Sequence, residues 1–205
     1  MIIAEQYMVA KSGNLETCED QCVVTEHYAC VIDGATDVTG LRFNGMTSGR
    51  FIAVGIAEAI PQLPPDADFN QIIAFINQHL QRYYREQGAE QLMESSPNQR
   101  PAAAMALYSR RRNVVWLAGD CQCLIDGELH TNPKWIDEIT ANARALYIEA
   151  ELMSGKTAEQ LMAHDTGWDA VRPFIQMQYY MQNTPEPTPY SYASINGFDE
   201  IRHGY

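Results

Sequence analysis

The sequence predicts an α+β fold: a four-layer αββα sandwich of two antiparallel sheets flanked by helix pairs. Three observations carry that expectation. Cys22 to Thr25 and Tyr28 to Ile32 are short runs rich in Val, Ile and aromatic residues, and they read as a hairpin. Ala102 to Ser109, Val114 to Ala118 and Gln122 to Ile125 then succeed one another through turn residues, and the Asp126-Gly127 dipeptide after them favours a tight hairpin. Segments of helical periodicity stand between and after these strands, so helices outside the sheets bury the apolar stripes of both.

Each element has its own signal. Ile2 to Val9 is mostly apolar and reads as a strand, stopped by the turn Lys11-Ser12-Gly13-Asn14. Gly40 to Gly49, with three glycines in ten residues, reads as a loop. Ser48 caps a helix through Phe51, Ile52, Val54, Ile56 and Ala59 that ends near Pro61. Phe69, Ile72, Ile73, Ile76, Leu80, Tyr83 and Tyr84 form one stripe of a helix over 68–87, with Asn70, Gln71, Gln78, Arg82 and Arg85 on its solvated face. Ile136, Ile139, Ala143, Leu146, Tyr147 and Ala150 mark a second apolar stripe, expected to face a core. Thr157 caps a short helix to Ala163, and Asp165 opens another through Val171, Ile175 and Tyr179, with Pro173 tolerable near its start. Thr184 to Pro189 is a proline-rich linker, and Tyr190 to Ile195 reads as a closing strand ended by Asn196-Gly197. Without internal repeats or low-complexity segments, residues 1–205 read as one domain.

Composition narrows the function classes. The 205 residues include 26 acidic and 14 basic side chains, a formal charge of −12. Such a balance excludes a nucleic-acid-coating surface, which needs clustered Lys and Arg. The sequence has no stretch of about 18 consecutive apolar residues, so no membrane span is expected. The start, MIIAEQYMVAKSGN, lacks the basic and apolar regions of a secretory signal. Five cysteines, an odd number, point to free thiols in a reducing, cytoplasmic setting. Composition leaves the oligomeric state open.

The informative feature is where carboxylates fall. Glu19-Asp20 precedes a strand, Asp33-Gly34 ends one, and Gly119-Asp120 lies in a turn between two. Carboxylates at strand ends can converge on one edge of a sandwich, and magnesium or manganese sites are built from a few such oxygens plus waters. Acids in turns are also ordinary solvated turn-formers.

Cys18-Glu19-Asp20-Gln21 followed by Val31-Ile32-Asp33-Gly34-Ala35 resembles the N-E-D and (V/F)-D-G elements of metal-dependent protein serine/threonine phosphatases of the type 2C family. Leu117-Ala118-Gly119-Asp120-Cys121-Gln122 is similar to the family's A-x-x-G-D-S-R strand end, and Ala193-Ser194-Ile195-Asn196-Gly197-Phe198 to its L-x-S-D-G-(L/F) element. The matches run in family order across most of the chain, and the family fold is an αββα sandwich. The resemblance implies Asp20 and Asp33 as catalytic metal ligands, the Gly34 carbonyl as a further ligand, Glu19 among the metal's waters, and Asp120 toward an additional ion. It implies two manganese or magnesium ions, a bridging hydroxide as nucleophile and a phosphoprotein or other phosphoester as substrate.

This chain departs from the family at defined places. Asn196 stands where the family has an aspartate toward the second metal, and a neutral amide is a poorer ligand. Only Ile201 to Tyr205 follow Glu200, which leaves out the family's later D-N pair and its C-terminal strand. The phosphate-binding arginine has no counterpart, Leu15 or Glu16 falling in its place, and Lys11 is the nearby cation. A catalytically impaired relative serving as a binding or regulatory module is therefore the alternative expectation. Asp37 reads as a solvated loop acid, and Cys18, Cys22, Cys30 and His27 as thiols and an imidazole at irregular spacing for zinc. His79, His130 and His164 read as surface or helix-end residues, and no nucleophile elbow, phosphate loop or dinucleotide turn is present.

Overall fold

The structure is a computed structural model that describes residues 1–36 and 38–202. It is an α+β fold built on one four-stranded antiparallel sheet. β1 (Asp20–Val24) pairs with β2 (Tyr28–Gly34), β2 with β5 (Ala103–Ser109) and β5 with β6 (Val114–Ala118). Between β2 and β5 lie a small hairpin, β3 (Arg42–Phe43) and β4 (Met46–Thr47), and the helices α1 (Ser48–Ala59), α2 (Phe69–Glu86) and α3 (Glu90–Ser95). Asn44 and Gly45 both adopt positive φ, 48° and 79°, the conformation a two-residue turn between twisted strands requires.

α1 and α2 cover one face of the sheet. Tyr28, Cys30, Ile32, Met105 and Leu107 alternate along β2 and β5 and meet Phe51, Ile52 and Ile56 of α1 and Ile72, Ile76, Leu80 and Tyr84 of α2. The stripe read over 68–87 is thus the buried face of α2. Asp68 caps this helix: its carboxylate accepts from the Gln71 N–H and the Gln71 side chain accepts from the Asp68 N–H, both at 2.9 Å. Asp68→Ala is expected to cost about 1 kcal/mol, read as a lower midpoint in denaturant unfolding.

The other half departs from a two-sheet sandwich. β7 (Gln122–Ile125) does not continue the meander beside β6 but pairs with β8 (Glu128–Thr131), a strand the sequence reading did not include. Gly119, at φ +90°, turns the chain out of the sheet, and Asp126 and Gly127, at φ 51° and 86°, close the new hairpin. Residues 2–9 form no strand, and Tyr190 to Ile195 contributes two isolated bridges, Ile195 to Ala103 and Tyr192 to Gln182.

Helices α4 (Trp135–Met153), α5 (Ala158–Ala163) and α6 (Thr166–Met177) follow. α4 packs against α6, where Gly167 lies close enough to Ile148 that a Cβ would come within 2.6 Å. The stripe Ile139, Leu146 and Tyr147 is nonetheless exposed, and among the described residues of α4 none is buried. Among the described residues no helix is long and apolar enough to cross a membrane.

Candidate functional site

Antiparallel order brings the acids together. The start of β1, the end of β2, the start of β5 and the end of β6 all lie at one edge of the sheet. Asp20 sits directly opposite Asp33 in the β1–β2 register, and Asp33 opposite Ala104. Beyond that pair, the Gly34 N–H donates to the Glu19 carbonyl at 3.2 Å. Asp120 follows β6 through Gly119, whose missing side chain lets the turn pass over Ala104, since a Cβ there would lie 2.7 Å from the Ala104 methyl.

A cleft of about 360 Å³ opens at this edge. Asp33, Asp120, Ala102 to Ala104, Lys11 and Thr36 line it, the Lys11 ammonium donating to the Thr36 hydroxyl at 3.1 Å. Trp168, Ile175, Gln178 and Tyr179 come from the α6 region, and Lys134 precedes α4. The Lys134 ammonium lies 3.0 Å from the Asp137 carboxylate and 4.5 Å from the centre of the Tyr192 ring.

Electrostatics single out Asp33. Solvent reaches it from the cleft, yet the walls strip part of its hydration, and this raises its pKa to about 6. The charges of Asp20 and Asp120 and a hydrogen bond with Asp20 push the same way, while Lys11 offsets part of the rise. Burial, then the charges of Asp33, Asp120 and Asp20, pushes the adjoining Cys121 thiol up to about 12, which removes it as a thiolate nucleophile near neutrality. Burial also raises the Tyr192 phenol, which stays a neutral donor to the Gln178 carbonyl at 3.3 Å.

The Asp33 shift has a sign that can be tested. Its native pKa lies above the ordinary aspartate value near 4, so the native state holds this proton more tightly than the unfolded chain does. Its contribution to stability is fullest at or below about pH 4, is lost as pH rises to about 6 and is constant above. Metal-free protein unfolded by urea across this window shows the downward slope, and Asp33→Asn removes it.

The remaining residues suggested by the resemblance take other places. The Glu19 carboxylate accepts from the Thr47 hydroxyl at 2.6 Å, and Thr47 caps α1 by accepting from the Arg50 N–H. Glu19 therefore ties β1 to the start of α1 and does not line the cleft. The Gly34 main chain packs against Gly49 at the same helix start. Asn196 is buried, with both ends of its amide engaged: its nitrogen donates to Asp199 at 2.7 Å, and its oxygen accepts from the Phe198 and Asp199 N–H groups. As a metal ligand Asn196 fails on this geometry, because its oxygen closes the turn to Asp199. Asp37 lies outside the described residues. The five cysteines form no disulfide, and Cys30 and Cys22 stand on opposite faces of the sheet.

Among the described residues, no three His, Cys, Asp or Glu side chains gather tightly enough to hold a metal by themselves. Asp20 and Asp33 are the adjoining pair, with Asp120 in electrostatic reach. The sequence reading missed Lys134, Trp168, Gln178 and Tyr192. Gln178 is 5% exposed, and its amide nitrogen has no hydrogen-bond partner among the described residues. It sits in a helical run without any local mark of a site. No protein-family model matches the chain, and no curated protein or solved structure does.

Proposed function

We propose that the cleft is the active site of a divalent-cation-dependent phosphoester hydrolase acting on phosphoserine or phosphothreonine esters, related to the type 2C phosphatases. One observation carries this reading: Asp33, which faces Asp20 across paired strands, lines a cleft that also holds Asp120 and two lysines. The donor set fits a hard cation: Asp33 stands opposite Asp20 with Asp120 in electrostatic reach, and Lys11 offsets only part of their charge. Magnesium keeps several waters and is commonly held by one or two carboxylates plus substrate phosphate, so a pair of acids suffices for one manganese or magnesium ion. Asp20 and Asp33 would hold it, and a second ion would rely on Asp120. When bound, such an ion supplies Lewis acidity toward a phosphoryl oxygen and lowers the pKa of water. Lys11 offers the phosphate a positive charge in place of the family's arginine, and Trp168 and Tyr179 add aromatic surface to the cleft lining. The five free thiols fit a reducing, cytoplasmic compartment.

A second reading, a catalytically impaired binding module, draws on Asn196, whose oxygen is committed to the turn. Hydrolysis of an aryl phosphate and of a phosphoserine peptide, with manganese and after chelation, separates the two. The expected result is manganese-dependent turnover that chelation removes and manganese restores. Calorimetric heat on manganese titration without turnover favours the binding module. Neither heat nor turnover rejects the metal site altogether.

A further inference from the structure

The four-stranded sheet ends on one side at β6, and its neighbours fix where the main-chain groups of that strand point. Ala103 exchanges both main-chain hydrogen bonds with Ile195 at 2.9 Å, on the side of β5 that β2 does not occupy. Odd-numbered residues of β5 therefore direct their N–H and C=O groups toward β6. Met105 stands opposite Ala118, Leu107 opposite Trp116 and Ser109 opposite Val114, so these are the hydrogen-bonded pairs. Val115 and Leu117 then direct theirs out of the sheet.

Among the described residues no strand pairs with this edge. The Leu117 carbonyl accepts from the Asn132 side-chain amide at 2.9 Å, a donor standing where a further strand would place its N–H. The Val115 N–H and C=O have no such partner among the described residues. A groove of about 400 Å³ separates β6 from the β7–β8 hairpin, lined by Val115, Leu117, Cys123, Ile125, Leu129 and Thr131, with His130 and Asn132 at its margin and no carboxylate or ammonium. Natural sheets blunt an open edge with charged residues or proline. β6 reads Val-Val-Trp-Leu-Ala and carries neither. Its two ends differ in charge: the exposed Arg110 and Arg111 lie in the turn before it, and the exposed Asp120 follows it.

From this geometry we infer that the β6 edge docks an extended segment of a partner protein, which adds to the sheet as a further strand. Alternating N–H and C=O groups that point out of a sheet are matched by another extended main chain. The segment runs antiparallel to β6, as every other pair in this sheet does and as the stronger pairing requires. Charge fixes its polarity: basic at its N-terminal end, beside Asp120, and acidic at its C-terminal end, beside Arg110 and Arg111. Residues opposite Val115 and Leu117 exchange hydrogen bonds with them and share their face of the sheet. The same two residues of the segment therefore donate to β6 and turn their side chains toward the apolar groove, the N–H opposite Leu117 replacing the Asn132 amide. This inference is independent of the proposed hydrolysis.

The probe is a fluorescein-labelled peptide, Lys-Lys-Thr-Val-Thr-Val-Thr-Glu-Glu, titrated with the full chain and followed by fluorescence anisotropy. Saturable binding is expected, with a dissociation constant on the order of 100 µM or below. Val115→Pro deletes an N–H that β5 does not use, at an edge position where a sheet tolerates proline. It is expected to weaken binding roughly tenfold while the circular dichroism stays that of the wild type. Methylating the two valine nitrogens of the peptide is expected to abolish binding, and methylating the threonine nitrogens to spare it. This comparison needs no protein variant, so it decides the matter if Val115→Pro fails to fold. No saturation by about 1 mM overturns the inference, as does equal loss from both methylation patterns or a folded Val115→Pro that binds like the wild type. Light scattering that finds the wild type at twice the chain mass of 23.1 kDa, and Val115→Pro at the single mass, overturns it too and assigns the edge to a second copy.

Discussion

Asp33→Asn is expected to lower manganese-dependent turnover on the order of 10³-fold, the loss of several kcal/mol of charge stabilisation at the phosphoryl group. The substitution preserves shape and removes one of two facing carboxylates, so the remaining Asp20 has no ionic partner in holding a cation. The fold is expected to respond in the opposite direction. Asp33 is crowded by Asp20 and Asp120, and neutralising it relieves that repulsion above about pH 6, where the native carboxyl is ionised. A variant that has lost activity while unfolding at the same or a higher urea concentration places the defect in the site. Asp126→Asn, in the turn between β7 and β8, is the matched control: asparagine accepts the same positive φ, and turnover is expected to be unchanged. Equal losses in both variants would sink the assignment of Asp33 to the cation.

Gly34→Ala is expected to cost about 3 kcal/mol and to lower the unfolding temperature by roughly 10 °C. A Cβ at this position would lie 2.1 Å from the Gly49 carbonyl oxygen and 2.7 Å from the Glu19 carbonyl oxygen. Both obstacles are main chain, so no rotamer change relieves them. Gly49 reciprocates, since its own Cβ would meet the Ala35 and Gly34 carbonyls at 2.5 and 2.8 Å. These two glycines let the end of β2 and the start of α1 touch backbone to backbone, which sets where Asp33 stands relative to the helix layer. Thermal unfolding followed by circular dichroism checks the size. A shift under about 2 °C would mean that the two segments separate at little cost.

Local chemistry made much of the fold legible. The α2 stripe, the Thr157 cap of α5 and the turn at Asp126-Gly127 are set by residues within a few positions of one another, although the α1 cap proved to be Thr47 and not Ser48. The boundaries of β6 and β7 follow from the same kind of signal. That Asp20 and Asp33 lie at the same end of the sheet was also readable, because antiparallel strands place the ends that carry them at one edge. Asn196 misled for a related reason. A motif position specifies a residue's place along the chain, whereas the ligating capacity of its oxygen depends on what else bonds to it, here the Phe198 and Asp199 N–H groups.

By itself, the sequence determined the α+β class, most helix and strand positions, the charge balance and the acids at strand ends. Only the tertiary structure decided that β7 leaves the sheet for β8, that the stripe of α4 faces solvent, and that Gln178 and Trp168 reach a cleft more than a hundred residues from Asp33 in the chain. Caps, turns and periodicity are short-range preferences worth about 1 kcal/mol or less each. Strand partnering and burial depend on competition among distant surfaces, and a residue's own neighbours in sequence do not reveal which surface wins.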